Sequence, residues 1–301
     1  MTSGTSTTSN ILSLSAKRVA EIGSDLVTRG QKDVLDDRSF VAFYNRTPNK
    51  VKDIWDLCSD NIKPRPKLIH LFWALMYMKL YLPLDVMVVL CSCSKPTFEK
   101  WCWMWMEAIA SKHVEIIVWD KRFRNAPKDV WCLTSVDGTD FLVDEPFPFN
   151  RKFKSPKVGG AGFKYEVALS IYSGDIVWIY GPHNGGKHDV TIARELLVGQ
   201  LDEGEMIEGD RGYRGLVDCR APDDALSEEE YKEKSNLRAR HETVNHRLKT
   251  WGVLKQRFHG AKQKHQFCFY AIAVMTQMSI DSGRVLFSCE PKTKKKKTYY
   301  I

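Results

Sequence analysis

The chain has 301 residues, 43% of them hydrophobic, with nine tryptophans and a formal net charge of +8. That length and apolar content supply a sizeable core for one large or two modest domains and exclude a largely disordered chain. No apolar run reaches the ~18 residues of a membrane span, and the positive charge suits a polyanionic partner, nucleic acid first and an acidic membrane surface second.

Residues 1–37 open with MTSGTSTTSN, small and polar, without the basic start and apolar stretch of a secretory signal. A short helix around Ala16 to Val27 is the only element expected before Arg38, so 1–37 reads as a disordered N-terminal segment of an intracellular protein. Residues 38–120 are helical territory. Lys67 to Leu80 forms one helix, Pro83 breaks it, and Leu84 to Cys91 forms a second; Ser94 caps a third that begins at Pro96. Helix, short helix, tight turn and capped helix is the plan of a helix-turn-helix. Its third helix would offer Lys95, Thr97, Glu99 and Lys100 to DNA, although Trp101, Trp103 and Trp105 equally suit packing on the next domain.

Residues 121–288 read as an α/β domain. VWCLTSV (130–136) is a strand that stops at Asp137-Gly138. KYEVALSIY (164–172), the turn Ser173-Gly174-Asp175 and IVWIY (176–180) make a hairpin. DVTIARELLVGQL (189–201) is an amphipathic helix, GEMIEGD (204–210) a short strand, and Leu216 to Cys219 a weaker one. Ser227 with Glu230 forms a capping box that opens a long helix carrying LRARHETVNHRLKTW, and QFCFYAIAVMTQM (266–278) is a buried helix. Residues 289–301 form a basic tail with five lysines between 292 and 297, a nuclear localisation signal or a grip for nucleic acid. The eight cysteines sit mostly in apolar contexts, which argues for buried thiols without disulfides. The lone Cys91-x-Cys93 lacks the partner pair of a zinc site.

The chemistry concentrates in carboxylates. Asp137 and Asp210 each end an apolar run beside a glycine, where side chains at strand ends converge on a crevice. An aspartate buried there needs a positive partner, and a divalent metal would serve. Glu242 shares a helix face with Arg238, Asn245 and Lys249 at i, i+4, i+7 and i+11; alone it would be an ordinary charge ladder. Together the three acids could clamp two Mg²⁺ or Mn²⁺ ions and cleave a phosphodiester, with Arg238 and Lys249 facing phosphates. GPHNGGKH (181–188) raises a rival reading, a phosphate-cradling loop of the G-x4-G-K type. There His188 stands where a serine or threonine hydroxyl is needed.

The array DGTD (137–140), GDRGY (209–213) and RARHETVNHRLK (238–249) resembles DDE transposases, particularly the PIF/Harbinger and IS5-like branch, over roughly residues 125–280. The interval of 32 residues from Asp210 to Glu242 is similar to the one that family uses between its last two acids. Its pattern Tyr-x2-Arg-x3-Glu-x6-Lys falls on Arg238, Glu242 and Lys249, with Ser235 departing at the tyrosine. Asp140 replaces a common histidine, and His188-Asp189 looks like the family's His-Asp segment, with Asp189 otherwise a helix cap. The resemblance implies an RNase H-like fold, Asp137, Asp210 and Glu242 as catalytic metal ligands, and two divalent ions. It also implies DNA as substrate and a separate Myb-like DNA-binding partner, with a homodimer one assembly the chain allows. A transposon-derived DNA-binding or scaffold protein that has lost catalysis is the alternative.

Overall fold

A computed structural model describes residues 14–30, 33–220 and 227–289. The lysine run at 292–297 lies outside the described residues. Eleven helices and six strands are described, with helices first and the sheet after them.

Six helices build the N-terminal part: α1 (Ala16–Thr28), α2 (Asp37–Tyr44), α3 (Pro48–Cys58), α4 (Leu68–Leu80), α5 (Leu84–Leu90) and α6 (Lys95–Ser111). Against the expectation of little fixed structure before Arg38, α1 is part of the core. Ser15 accepts from the Arg18 amide to start it, and Val19 is fully buried. The Tyr44 hydroxyl donates to the Gly23 carbonyl at 2.7 Å from across the bundle. Glycine is required there, because a Cβ on Gly23 would stand 2.6 Å from the Phe40 ring and 2.8 Å from that of Phe72. One glycine in a polar-looking stretch thus lets α1 approach closely enough to bury its apolar stripe.

The α4–α5–α6 unit has the expected order. Ser94 occupies the capping position, but its hydroxyl donates to Thr97 Oγ1 at 2.9 Å and caps no amide. Lys95, Thr97 and Lys100 are exposed, while Trp105 is fully buried and Trp101 stacks on His70 at 3.9 Å. The far side of α6 packs on α11 (Lys262–Asp281), where Cys268 and Met106 sulfurs lie 3.6 Å apart. The core therefore runs without interruption across residue 120, from Phe72 and Met106 to Phe269 and Met275.

After the short α7 (His113–Ile116) come β1 (Cys132–Leu142), β2 (Lys154–Ser155), β3 (Gly160–Ser170), β4 (Ile176–Asn184), α8 (Asp189–Leu196), β5 (Met206–Glu208) and β6 (Cys219–Arg220). Then follow α9 (Glu228–Lys249), α10 (Gly252–Lys255) and α11. The sheet runs β2-β3-β1-β5-β6, with β4 pairing β3. β1–β3 and β3–β4 are antiparallel, β1–β5 and β5–β6 parallel. A helical region followed by a mixed sheet flanked by helices is the architecture of an RNase H-like domain.

β1 does not stop at Asp137-Gly138. It continues to Leu142, because pairing with β3 runs unbroken from Thr134↔Ser170 to Leu142↔Gly162. Central pairing overrides the weak strand propensity of Asp and Gly. Alternation then sorts side chains by face. Phe141, Phe163, Tyr165 and Val167 join the large core under α11, whereas Val136 and Ala168 join a smaller one under α8 with Ile192's neighbour Ala193, Leu197 and Tyr213. No described helix is long and apolar enough to cross a membrane.

Candidate active site

The polar centre of the sheet begins at Gly138. Its cross-strand partner is Glu166, and two residues on Asp140 faces Lys164. Pairs in register share a face, so Gly138, Asp140, Lys164 and Glu166 all lie toward α8. The first residue of α8 is Asp189, with His188 at the capping position. The Asp189 carboxylate therefore does not cap its helix; it forms a buried ion pair with Lys164. Its two oxygens reach two glycines. A Cβ on Gly138 would stand 2.9 Å from Asp189 Oδ1 and 3.0 Å from Glu166 Oε1; one on Gly212 would stand 3.0 Å from Asp189 Oδ2 and 2.9 Å from Asp210 Oδ1. Asp189 thus joins the β1 strand to the turn after β5, and its carboxylate approaches that of Asp210.

Asp210 follows β5 and opens the 3-10 turn Arg211–Tyr213, accepting from the Gly212 amide at 2.7 Å. That turn also delivers Tyr213, whose hydroxyl donates to Glu166. Lys157 completes the cluster. Its ammonium donates to the Gly138 carbonyl at 2.6 Å and stands 3.7 Å from Asp137 and 3.8 Å from Asp189. Burial pushes the Asp137 carboxyl up; Lys157 opposes this, while Asp210 and Asp189 push it further up. Burial, then Asp189, raise Glu166 well above the usual carboxyl range, which favours its protonated form. Burial also opposes the charge on Lys157, but the Asp137 and Asp189 carboxylates outweigh it and raise its pKa.

Asp140 is buried and accepts from the Ser155 hydroxyl, while its Oδ1 has no hydrogen-bond partner. It belongs to the wall of the cluster, beside Lys164. Asp144 and Glu145 are exposed; Asp144 pairs with His259 at 2.9 Å.

Glu242 stands apart from this group. Its carboxylate is 67% exposed and pairs with Arg238 at 3.4 Å along the helix. Yet α9 lies along β1: His241 Nε2 and Ser135 Oγ are 2.9 Å apart, and the Lys249 ammonium lies over the Phe141 ring at 5.5 Å. Asp137 falls between these two contacts on the same face of β1, and Lys249 shares a helix face with Glu242. Burial holds His241 down at about 4, so it is a neutral hydrogen-bonding anchor. Among the described residues no group of three or more His, Cys, Asp or Glu side chains is already gathered for a metal ion. The full convergence expected of 137, 210 and 242 is thus not preformed, because Arg238 holds Glu242 and Lys157 stands between Asp137 and Asp189.

The donor set nevertheless fits a hard divalent cation. Asp137, Asp189 and Asp210 offer only carboxylate oxygens, the donors that Mg²⁺ and Mn²⁺ favour, and burial, with repulsion from Asp210 and Asp189 after it, raises Asp137. The G-x4-G-K reading fits less well. β4 extends through Asn184, and the amides of Gly185, Gly186 and Lys187 are spent on the carbonyls of Gly162, Lys152 and Asn184. Lys187 itself pairs with Glu195 at 2.6 Å, so no free amide cradle remains for a phosphate.

Glu166, Lys157 and Lys164 escaped the sequence reading, and Asp189 received only an accessory place. A signal for two of them existed. KYEVALSIY alternates Lys164, Glu166, Ala168 and Ser170 with Tyr165, Val167 and Leu169, and a strand with both faces buried has no ordinary use for Lys and Glu.

Residues 136–277 match the model of a family described as DDE superfamily endonuclease. No curated protein and no solved structure matches the chain. The matched span begins one residue before Asp137 and ends within α11, so it holds the whole carboxylate cluster and Glu242. Residues 136–277 are a DDE superfamily endonuclease domain.

Proposed function

We propose that this chain is a metal-dependent DNA endonuclease of the transposase type, with Asp137 and Asp210 as the principal cation ligands, Asp189 beside them and Glu242 completing the set. The observation that carries the reading is the meeting of the Asp189 and Asp210 carboxylates over Gly212, with Asp137 linked to Asp189 through the Lys157 ammonium that stands 3.7 and 3.8 Å from the two. Divalent ions held there would supply charge stabilisation at the attacking and leaving oxygens of a phosphodiester. The chain's own residues do the rest. Lys164 fixes the Asp189 carboxylate, Tyr213 holds Glu166, and Lys157 opposes the upward push that burial gives the Asp137 carboxyl. Glu242, on a helix anchored through His241, would complete the ligand set of a bound cation if its carboxylate were released from Arg238. Arg238 and Lys249 then face backbone phosphates. Lys95 and Lys100, exposed on α6, are the corresponding candidates on the helical region.

The spacing in RARHETVNHRLK supports the narrower Harbinger and IS5-like assignment, and with it a nuclear protein that works beside a Myb-like partner. One observation favours a second reading, a transposon-derived DNA-binding protein without catalysis: the Glu242–Arg238 pair leaves the third acid outside the cluster. Nicking of supercoiled plasmid in Mg²⁺ or Mn²⁺ separates the two. Nicking that disappears in Asp137→Asn, Asp210→Asn and Glu242→Gln supports the endonuclease. DNA binding by wild-type protein without nicking in either metal supports the scaffold.

A further inference from the structure

A trough lies at the edge of the sheet, where the end of β4 meets the start of α11. Two adjoining hollows of about 520 and 380 Å³ share His183 and Lys262 and so form one groove. One end is walled by Lys152, Lys187 and Lys262, the other by Tyr180, Gln263 and Tyr270. Lys187 has Glu195, but neither Lys152 nor Lys262 has an acidic partner among the described residues. Burial and then Lys187 hold the Lys262 ammonium below its ordinary range, a crowding of like charge that a bound anion relieves. α11 begins at Lys262 with Ala261 at the capping position and no acid in its first turn, so its positive end also faces the groove uncompensated.

The other half of the groove is a stacking surface. Trp178, Tyr180 and His183 form a ladder of near-parallel rings along β4, 5.9 and 5.6 Å apart. Trp178 is buried, whereas Tyr180 is 42% exposed midway along the edge strand β4. Burial, then Lys187 and Lys262, hold His183 down at about 4, so its ring is neutral, and its Nε2 is buried without a partner. Cations along one wall and the exposed part of the Tyr180 ring on the other match a phosphate backbone carrying unstacked bases. A duplex is excluded by its own pairing, since its bases offer no free face to Tyr180.

We infer that this groove binds single-stranded DNA, with phosphates on Lys152 and Lys262 and a base on Tyr180. In the chain only His188 lies between Lys187, on the groove wall, and Asp189, so a strand held there lies beside the segment that leads to the carboxylate cluster. The choice of DNA rests on the endonuclease reading; the binding itself needs no catalysis.

The test is fluorescence anisotropy of a labelled dT12 oligonucleotide with the full chain in EDTA. Tyr180→Ala and Lys262→Ala should each weaken binding about tenfold, the scale of one base stack, while Tyr180→Phe restores it. Lys17→Ala, the same loss of charge on α1, should leave it unchanged. Lys152→Ala should lower the salt slope of log K by about 0.7, one phosphate contact. The inference is overturned if wild-type protein does not bind dT12, or if Tyr180→Ala and Lys262→Ala bind as wild type does. It is also overturned if dTMP or inorganic phosphate displaces the oligonucleotide at equal concentration, which would make the groove a free-nucleotide or phosphate site. A protein that binds through these residues and never nicks keeps the groove and loses the endonuclease; nicking with normal binding by the groove variants does the reverse.

Discussion

Gly138→Ala is the sharpest perturbation of the proposed centre, because it adds one methyl group where three atoms of two carboxylates meet. The new Cβ would stand 2.9 Å from Asp189 Oδ1, 3.0 Å from Glu166 Oε1 and 3.2 Å from Asp189 Cγ. Neither side chain can retreat freely, since Asp189 is paired with Lys164 and Glu166 accepts from Tyr213. Overpacking a tight site costs about 1–3 kcal/mol, and replacing glycine by alanine in a strand returns about 0.5–1 kcal/mol of chain entropy. A net loss of about 1–2 kcal/mol is expected in urea unfolding, read as a lower midpoint with an unchanged m-value. Metal-dependent nicking should fall by at least tenfold, because the displaced Asp189 carboxylate is the one that reaches Asp210. Gly199→Ala is the control, with nothing within 4 Å of its Cβ position. If Gly138→Ala matches Gly199→Ala in both stability and nicking, the carboxylates do not meet over Gly138 and the account of the centre is wrong.

Two further outcomes follow from buried charges. Arg122 is buried and donates to buried Glu205 at 3.0 Å, to Asp202 at 2.9 Å and to Asp120 at 3.2 Å, tying the segment before β1 to the lead-in of β5. Arg122→Ala should cost about 3–5 kcal/mol by stranding Glu205, and adding Glu205→Gln should recover part of it in a double-mutant cycle. Acid stability depends on His241, held down at about 4 against 6.5 by burial. A depressed folded pKa means that its stabilisation is present above pH ~6.5 and lost as pH falls toward 4, a swing of about 3 kcal/mol. His241→Gln should therefore lose about that much less stability than wild type between pH 7 and pH 4; an identical pH profile would contradict its burial as a neutral anchor.

The order of elements was legible because local signals were strong. Ser227 and Glu230 mark the start of α9, where the Ser227 hydroxyl accepts from the Glu230 amide as the capping pattern requires. Pro83 and the Gly174 turn likewise separate elements where the structure does. What was not legible depended on long-range contacts. The end of β1 was misplaced because only pairing with β3, from a later part of the chain, carries a strand through Asp137-Gly138. The role of α1 was missed because its approach depends on Phe40, Tyr44 and Phe72, three residues in two other helices. Within the site, Asp137 and Asp210 stood out as acids beside glycine. Asp189 looked like a helix cap, since nothing local reveals that Lys164 turns its carboxylate inward.

The central claim, that the Asp137–Asp189–Asp210 junction is a cation-binding centre, is tested most directly by titrating the full chain with Mn²⁺ and counting bound ion by electron paramagnetic resonance. The account predicts saturable binding that is abolished by Asp137→Asn and by Asp210→Asn and weakened by Glu242→Gln. It predicts undiminished binding in Lys157→Gln, which removes the ammonium now standing between Asp137 and Asp189. No binding at millimolar Mn²⁺, or binding indifferent to Asp137→Asn and Asp210→Asn, would contradict it.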